Sequence, residues 1–255
     1  MRTSSSTTSS DAPDGVLITL DVDWAPDFAI DFTSGLLVEA GARATWLATH
    51  GSDALDRVAS RSDLFEVGIH PNFSPGSTHG ETPQAVLAHC LELVPTATTV
   101  RTHSFVQSGP LLDLLLTESR LTADLSIFLP GAPNLAPVPY TLHSRTIHRL
   151  PTFWEDDYEF EQKLPSWNLA AHVDSIPGMK IFNFHPIHVY LNSGAPDAYA
   201  ELKTRAPSLT QASESDARDL ANDGVGARTL FTAIAAKLAV DGGGLRIRDL
   251  LESSG

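Results

Sequence analysis

Short apolar runs alternate along the chain with segments whose apolar residues recur at helical spacing. The first run, residues 16–20, is continuous and rich in β-branched residues, which predicts a strand buried on both faces. A helical pattern over 32–40 ends at Gly41, and an apolar run over 44–48 predicts a second strand. The alternation continues with strands predicted at 65–69, 99–102 and 180–184, and with helices predicted from Asp53, from Thr82 and over 111–116.

The chain after the 180–184 strand is less regular. Residues 193–225 are rich in Ala, Ser, Asp, Pro and Gly, and they predict a long polar excursion with one candidate helix. A helical face recurs over 229–240, and the apolar residues from Leu245 predict a last short strand. Alternating strands and helices are typical of a parallel sheet with crossover helices, in which functional groups gather at the carboxyl ends of the strands.

The composition narrows the class of protein. The 255 residues include 17 Lys and Arg against 31 Asp and Glu, a net charge of −14, which argues against binding to nucleic acid or anionic membranes. One cysteine excludes a disulfide framework within the chain, so a metal site would use His with Asp or Glu. No segment has the apolar run of a signal peptide or of a membrane span. We therefore expect a disordered leader over 1–15, a single domain over 16–255 and a cytoplasmic location.

Residues suited to chemistry follow the predicted strands: Asp21, Asp23, His50, His70, Arg101, His103 and His185. Asp21 and Asp23 would lie on one face of a continuing strand, where two carboxylates repel unless a cation is close. One is then expected to bind a metal and the other to act as a base. An ordinary strand end followed by a turn is the structural alternative, because Asp is common in turns.

Two histidines extend this set. His70 ends the 65–69 strand, and His79 lies nine residues later in a glycine-rich loop. Together with Asp23 they would give the three ligands and open position of a catalytic divalent metal. The alternatives are a hydrogen-bonded histidine at a strand end and a loop histidine that needs no partner.

The remaining candidates are a buried cation, an acidic segment and a late histidine. Arg101 leaves an apolar strand and needs a carboxylate partner, for which Asp21 is the candidate. Trp154 precedes three acids at 155–157, a segment that would equally suit a solvated turn. His185 follows a strongly apolar strand, where an imidazole can serve as a general acid near neutral pH.

The order of these motifs resembles the polysaccharide deacetylase family, carbohydrate esterase family 4 with the nodulation-type deacetylase homology domain. Five motifs match in order over about residues 16–190: aspartates at 19–23, histidine from 70, arginine at 101–104, acids beside tryptophan at 154–157 and the terminal histidine at 182–185. The match is closest to a branch found with genes for surface-polysaccharide (O-antigen type) biosynthesis. The resemblance implies a distorted (β/α) barrel of seven strands and metal-dependent removal of an N-acetyl group from a sugar.

The resemblance also implies a metal site and a base. Asp23, His70 and His79 would hold one divalent ion, with zinc as the expected metal. Asp21, held by Arg101, would take a proton from the attacking water. The sequence departs from the family pattern at three places: Val22 separates the aspartates, Ser74 replaces the second metal histidine, and Ser104 replaces the tyrosine of the arginine motif. The alternatives to His79 as the third ligand are Asn72, His103 and His50.

Further roles concern the leaving group and the sugar. His185 would protonate the departing amine, oriented by one of the three acids, for which we choose Asp156. A backbone N–H near Ser104 would stabilise the oxyanion. Trp24 and Trp154 are expected against the sugar ring, with core packing as the alternative for each.

The sequence therefore predicts a hydrolase that acts on a carbohydrate partner. Two other functions stay open. One is hydrolysis of a different non-peptide C–N bond on the same fold. The other is a catalytically inactive carbohydrate-binding protein, which would require the strand-end acids and histidines to be dispersed.

Overall fold

A computed structural model of the chain describes residues 15–174 and 176–252. The strands are β1 Gly15–Asp21, β2 Ala44–Ala48, β3 Phe65–Ile69, β4 Thr99–Val100, β5 Ala123–Asp124, β6 Val138–Leu142, β7 Arg145–Arg149, β8 Thr152–Glu155 and β9 Met179–Phe184. The predicted leader lies outside the described residues except for Gly15, which begins β1.

Eleven α-helices accompany the strands in the described part of the chain. They are α1 Asp27–Ala40, α2 Asp53–Ser60, α3 Pro83–Leu93, α4 Gly109–Thr117, α5 Asp156–Phe160, α6 Leu169–Val173, α7 Pro186–Leu191, α8 Asp197–Arg205, α9 Glu214–Ala217, α10 Ala227–Val240 and α11 Ile247–Glu252. The predicted helix boundaries have local causes. Gly41 ends α1 in the left-handed conformation, and the Thr82 side chain accepts a hydrogen bond from the Ala85 N–H at the start of α3. None of these helices is long and apolar enough to cross a membrane.

The strands form one curled sheet in the order β6-β7-β5-β4-β3-β2-β1-β9-β8. All neighbouring strands are parallel except β6 and β7, which form an antiparallel hairpin. The sheet curls so that the segment after β5 bonds to β8. Thr152 of β8 donates its N–H to Ile127 O (2.7 Å), and the Thr152 carbonyl oxygen accepts from the Leu129 N–H (3.0 Å). The barrel-like fold with crossover helices is as predicted, and it brings the carboxyl ends of the parallel strands together.

Two predictions about the strands are wrong. The sheet in the described residues has nine strands rather than seven, because the β6–β7 hairpin adds two at the β5 edge. The segment from Leu245 is not a strand but leads into α11. The first backbone N–H groups of that helix bond to distant residues. The Ile247 N–H donates to Thr45 Oγ1 (3.0 Å), and the Arg248 N–H donates to Glu66 Oε2 (3.0 Å).

The 193–225 segment is also more helical than its composition predicts. It contains α8 and α9 and two 3₁₀ turns, Leu209–Gln211 and Arg218–Leu220. Leu202 of α8 is fully buried in a cluster with Ile187 and Leu191 of α7, so packing against α7 stabilises a helix whose own sequence is mostly polar.

Candidate active site

A tight turn after β1 sets the direction of the two aspartates. Asp21 is the last residue of β1, and the Ala25 N–H donates to Val22 O (2.8 Å) across the next two residues. Both residues inside this turn, Asp23 and Trp24, have positive φ (43° and 55°), the conformation of a type I′ turn. The turn therefore directs Asp21 and Asp23 into different contacts, although they are only two positions apart.

Asp23 lies between two histidines that come from other strand ends. Its Oδ1 atom is 3.0 Å from His70 Nε2 and 3.2 Å from His103 Nδ1, and the two nitrogens are 3.3 Å apart. Backbone hydrogen bonds fix both histidines, because His70 N–H donates to Ala48 O (2.8 Å) and His103 N–H donates to Pro71 O (3.0 Å). Asp23, His70 and His103 thus form a compact triangle of donor atoms.

These three residues fit a divalent metal. Ligand atoms at bond lengths of ~2.0–2.1 Å around a tetrahedral zinc ion lie ~3.3 Å from one another, close to the sides of the triangle. Two imidazoles and one carboxylate are also the donor types that catalytic zinc sites use.

The charges around Asp23 favour its ionised form. Burial by itself raises the pKa of Asp23, but the neighbouring charge of His70 and the hydrogen bonds to His103, His185 and His70 hold it well below its usual range. For His103, burial lowers the pKa, yet the hydrogen bond to Asp23 and the charges of Asp23 and Asp21 raise it overall.

His79 does not join this triangle, in contrast to its predicted role as third ligand. Its Nδ1 atom accepts a hydrogen bond from the Asn72 N–H (3.1 Å) and lies 3.4 Å from Cys90 Sγ. The ring packs at 5.4 Å from that of Trp24, and Cys90 is itself buried, which raises the pKa of the thiol to about 12. His79 therefore links the two ends of the 70–80 loop, and His103 occupies the position beside Asp23 and His70.

Asn72 and His50, the remaining candidates for the third ligand, have partners of their own. The Asn72 side-chain oxygen accepts from the Ser74 N–H (3.0 Å), and His50 Nδ1 lies 3.1 Å from Thr49 Oγ1. Within the described residues, neither belongs to the triangle.

Arg101 and Asp21 form the predicted ion pair. Arg101 is fully buried, and its Nη1 atom donates to Asp21 Oδ1 (2.8 Å) and Asn183 Oδ1 (2.6 Å). Its Nη2 atom donates to Thr19 Oγ1 (2.8 Å) and Thr152 Oγ1 (3.1 Å). The guanidinium plane is therefore fixed by β1, β8 and β9, and it orients one carboxylate oxygen of Asp21.

Asn183 is a further site residue, which none of the sequence motifs predicted. Its Nδ2 atom donates to Asp21 Oδ2 (2.9 Å) and to Glu155 Oε1 (3.2 Å), so Arg101 and Asn183 hold the two oxygens of Asp21 separately. A signal was present, since Asn183 interrupts the apolar strand β9 two positions before His185 and so points to the same side of the sheet.

His185 is held on the other side of Asp23. Its Nδ1 atom is 2.6 Å from Asp156 Oδ1, and its backbone N–H donates to Asp156 Oδ2 (2.9 Å). Burial lowers the pKa of His185, but the charges of Asp156 and Asp157 and the hydrogen bonds to Asp156 and Asp23 raise it well above its usual range. The Nε2 atom lies 3.4 Å from Asp23 Oδ2, which places the free edge of the ring at the triangle.

The three acids after Trp154 have three different environments. Asp156 contacts His185 as predicted, whereas Asp157 contacts His188 Nε2 at 3.0 Å. Burial raises the pKa of Glu155 to about 8, which favours the protonated form of this carboxyl group.

The residues predicted to contact the sugar lie in different environments. Trp154 is only 4% exposed and donates its Nε1–H to Glu159 Oε2 (2.7 Å), with Phe184 4.9 Å away. Trp154 therefore belongs to the core. Both faces of β8 are covered, so a large apolar side chain on this strand is buried whichever face it lies on. Trp24 is half-buried beside His103, and Ser104 is exposed with φ 54°.

The chain matches a polysaccharide deacetylase family and is similar to solved structures. The family model of WbmS-like polysaccharide deacetylases matches residues 18–203. A protein from Bordetella bronchiseptica, assigned as a polysaccharide deacetylase involved in O-antigen biosynthesis, has 32% sequence identity and a TM-score of 0.72 over 87% of this chain and 90% of that chain. The peptidoglycan deacetylase PdaC from Bacillus subtilis has 12% identity and a TM-score of 0.48 over 94% of this chain and 90% of that chain.

No curated protein sequence matches the chain at comparable significance. The family match covers most of the chain, and the Bordetella protein is similar over nearly its whole length. The chain therefore belongs to the WbmS-like polysaccharide deacetylase family, a divergent branch of the polysaccharide deacetylases, and is a hydrolase that acts on non-peptide carbon–nitrogen bonds.

Proposed function

We propose that the protein removes an N-acetyl group from a sugar residue of a polysaccharide or of its precursor, with a divalent metal, zinc, held by Asp23, His70 and His103. The observation that carries this proposal is the convergence of these three donors between the Asp21–Arg101 pair and the His185–Asp156 pair. An inactive homologue would require the strand-end acids and histidines to be dispersed, and they lie together instead.

When bound, a divalent ion at this site supplies a Lewis acid that polarises the acetyl carbonyl and makes water more acidic. The remaining steps belong to the side chains. Asp21 takes a proton from the attacking water. Arg101 and Asn183 each donate a hydrogen bond to one oxygen of Asp21, and they keep the carboxylate in the orientation that this transfer needs.

The leaving amine requires a proton, which we assign to His185. Asp156 accepts a hydrogen bond from Nδ1–H, so the imidazolium presents its second proton at Nε2, the edge that faces the site. We assign the Ser104 N–H as the donor to the tetrahedral oxyanion, because the neighbouring N–H groups of His103 and Phe105 donate to Pro71 O (3.0 Å) and Thr102 O (2.9 Å).

Metal content and acetate release together test this function. We expect the purified protein, after incubation with zinc and gel filtration, to retain one ion per chain and to release acetate from tetra-N-acetylchitotetraose. Asp23→Ala should lose both the ion and turnover. His185→Ala should keep the ion and lose turnover by about 10²–10⁴-fold.

Asp63→Ala is the matched control, because it removes an exposed aspartate that pairs only with Arg61 in the described residues. It should keep both properties. A wild-type protein that binds no zinc, or a zinc-loaded one that releases no acetate, would contradict the proposal. A His185→Ala protein that loses zinc while still folded would make His185 a ligand.

A further inference from the structure

The turn that carries His103 and Ser104 has a strained backbone. It begins two residues after β4, and we call residues 102–107 the 102–107 turn. Ser104 and Phe105 have φ of 54° and 53°, in the left-handed region that residues other than glycine seldom adopt. Such conformations persist where the surrounding structure holds them. Because His103 belongs to the triangle of donors and the Ser104 N–H is assigned to the oxyanion, the contacts that hold this turn also place both groups.

The start of the 102–107 turn is held by a series of buried hydrogen bonds from β5. The Thr102 N–H donates to Ser126 Oγ (2.9 Å), and the Ser126 N–H donates to Asp124 Oδ1 (2.9 Å). Asp124 is the last residue of β5, and its side chain is only 1% exposed. Thr102 in turn donates its hydroxyl to Val106 O (2.6 Å). The carboxylate of Asp124 therefore fixes the residue from which the turn begins.

The end of the 102–107 turn is held by Arg149, which binds the same carboxylate. Arg149 is the last residue of β7, and its Nε atom donates to Asp124 Oδ2 (2.9 Å) while its Nη2 atom donates to Gln107 Oε1 (2.6 Å). A planar guanidinium can hold two such partners in a fixed relation, because its donors lie on separate nitrogens of one rigid group. One ion pair between β5 and β7 thus ties both ends of the turn to the sheet.

From these contacts we propose that Arg149 and Asp124 are positioning residues for the active site. Through the two ends of the 102–107 turn, their ion pair holds His103 in the triangle and directs the Ser104 N–H to the oxyanion. The proposal rests on the proposed function, and it gives the β6–β7 hairpin, which supplies Arg149, a part in that function. Loss of groups that orient a metal ligand typically costs about 10–100-fold in metal affinity or activity.

The zinc affinity of two variants tests the proposal. Arg149→Gln removes the ion pair, whereas Ser126→Ala removes the acceptor of the Thr102 N–H and leaves the ion pair in place. We expect each to raise the zinc dissociation constant, measured by competition with a chromogenic chelator, by about tenfold. At saturating zinc, kcat for tetra-N-acetylchitotetraose should fall by a similar factor with KM unchanged, because an oxyanion donor acts in the transition state.

Arg246→Gln is the matched control, because the Arg246 side chain is also 15% exposed and pairs with Asp249 (2.6 Å) at the start of α11. It should lower the midpoint of thermal unfolding, as Arg149→Gln does, but leave the zinc dissociation constant unchanged. If Arg149→Gln does not fold, Ser126→Ala decides. A folded Ser126→Ala protein that binds zinc as tightly as wild type would overturn the proposal. An equal loss of zinc affinity in Arg246→Gln would do the same, since the effect would then come from lowered stability alone.

Amide hydrogen exchange in the zinc-free protein separates this proposal from the proposed function. The N–H groups of His103 and Phe105 bond to backbone carbonyls at 3.0 and 2.9 Å, and NMR can follow their exchange. We expect this exchange to be about tenfold faster in Arg149→Gln and Ser126→Ala than in wild type, and unchanged in Arg246→Gln. If wild type binds no zinc or releases no acetate, the proposed function fails. The exchange rates then decide for the ion pair, and equal rates in wild type and both variants would overturn its positioning role.

Discussion

Replacing Arg101 with lysine tests whether the guanidinium acts through its planar shape or only through its charge. Arg101 is fully buried and donates hydrogen bonds from two nitrogens to four partners on three strands. A lysine ammonium keeps the positive charge but presents its three donors from a single atom. A single ammonium nitrogen cannot make the paired hydrogen bonds of Nη1 and Nη2, and at least one of the four partners loses its donor.

The size of the effect follows from these bonds. A buried hydrogen bond to a charged group contributes about 1.5–3 kcal/mol, and breaking a buried ion pair removes about 3–5 kcal/mol. Because lysine retains part of the interaction, we expect Arg101→Lys to lower the free energy of unfolding by about 2–4 kcal/mol. Loss of the second contact to Asp21 or Asn183 also lets the carboxylate turn. We therefore expect kcat/KM to fall by about 10²-fold, as is typical when a reacting group is displaced by about 1 Å.

Urea denaturation and acetate release from tetra-N-acetylchitotetraose measure the two effects separately. Arg57→Lys is the matched control, because Arg57 forms a two-pronged pair with Asp31 (2.9 and 2.7 Å) on the surface, with its side chain 57% exposed. It should change neither quantity appreciably. If Arg101→Lys leaves kcat/KM unchanged, the planar fork has no catalytic role, and the proposed orientation of Asp21 is wrong.

Three further predictions concern the metal site, the acids and the core. His103→Ala should abolish stoichiometric zinc binding while His79→Ala retains it, as measured by elemental analysis; the opposite pattern would restore His79 as a ligand. Because burial raises the pKa of Glu155 from 4.5 to about 8, the folded state keeps a proton that the unfolded chain releases, and wild-type stability falls as pH rises through that window. Glu155→Gln should therefore gain stability relative to wild type by up to about 1.4 kcal/mol per pH unit in urea denaturation between pH 5 and 8; a difference that is constant across this range would contradict the burial effect. Trp154→Phe removes the hydrogen bond to Glu159, so it should lower the free energy of unfolding by about 1–3 kcal/mol and leave KM unchanged. A raised KM would indicate that Trp154 contacts the sugar.

The site residues at strand ends could be predicted because their positions follow from chain direction alone. Asp21 ends β1, His70 follows β3 and Arg101 follows β4, and in a parallel sheet these ends share one edge. The choice between His79 and His103 could not be predicted in this way. It depends on the path of the 70–80 loop, which the Asn72 N–H fixes by bonding to His79.

Side-chain direction and long-range partners account for the other differences. Both faces of β8 are covered, with Phe153 and Trp154 1% and 4% exposed, so alternation along the strand does not distinguish a sugar-facing residue from a core residue. Helix α11 begins where Thr45 and Glu66 accept its first N–H groups, and these partners lie about 200 residues earlier in the chain. Local sequence around Leu245 contains no sign of them.

The burial of Cys90 has a practical consequence for measuring the motions of this protein. Its sulfur lies within α3 beside His79, and a thiol with a pKa of about 12 presents almost no reactive thiolate at neutral pH. Since it is the single cysteine of the chain, covalent labelling by a thiol reagent reports one event, the exposure of the Cys90 sulfur on α3. The labelling rate as a function of denaturant then yields the free energy of that local opening, which can be compared with global unfolding without introducing a probe.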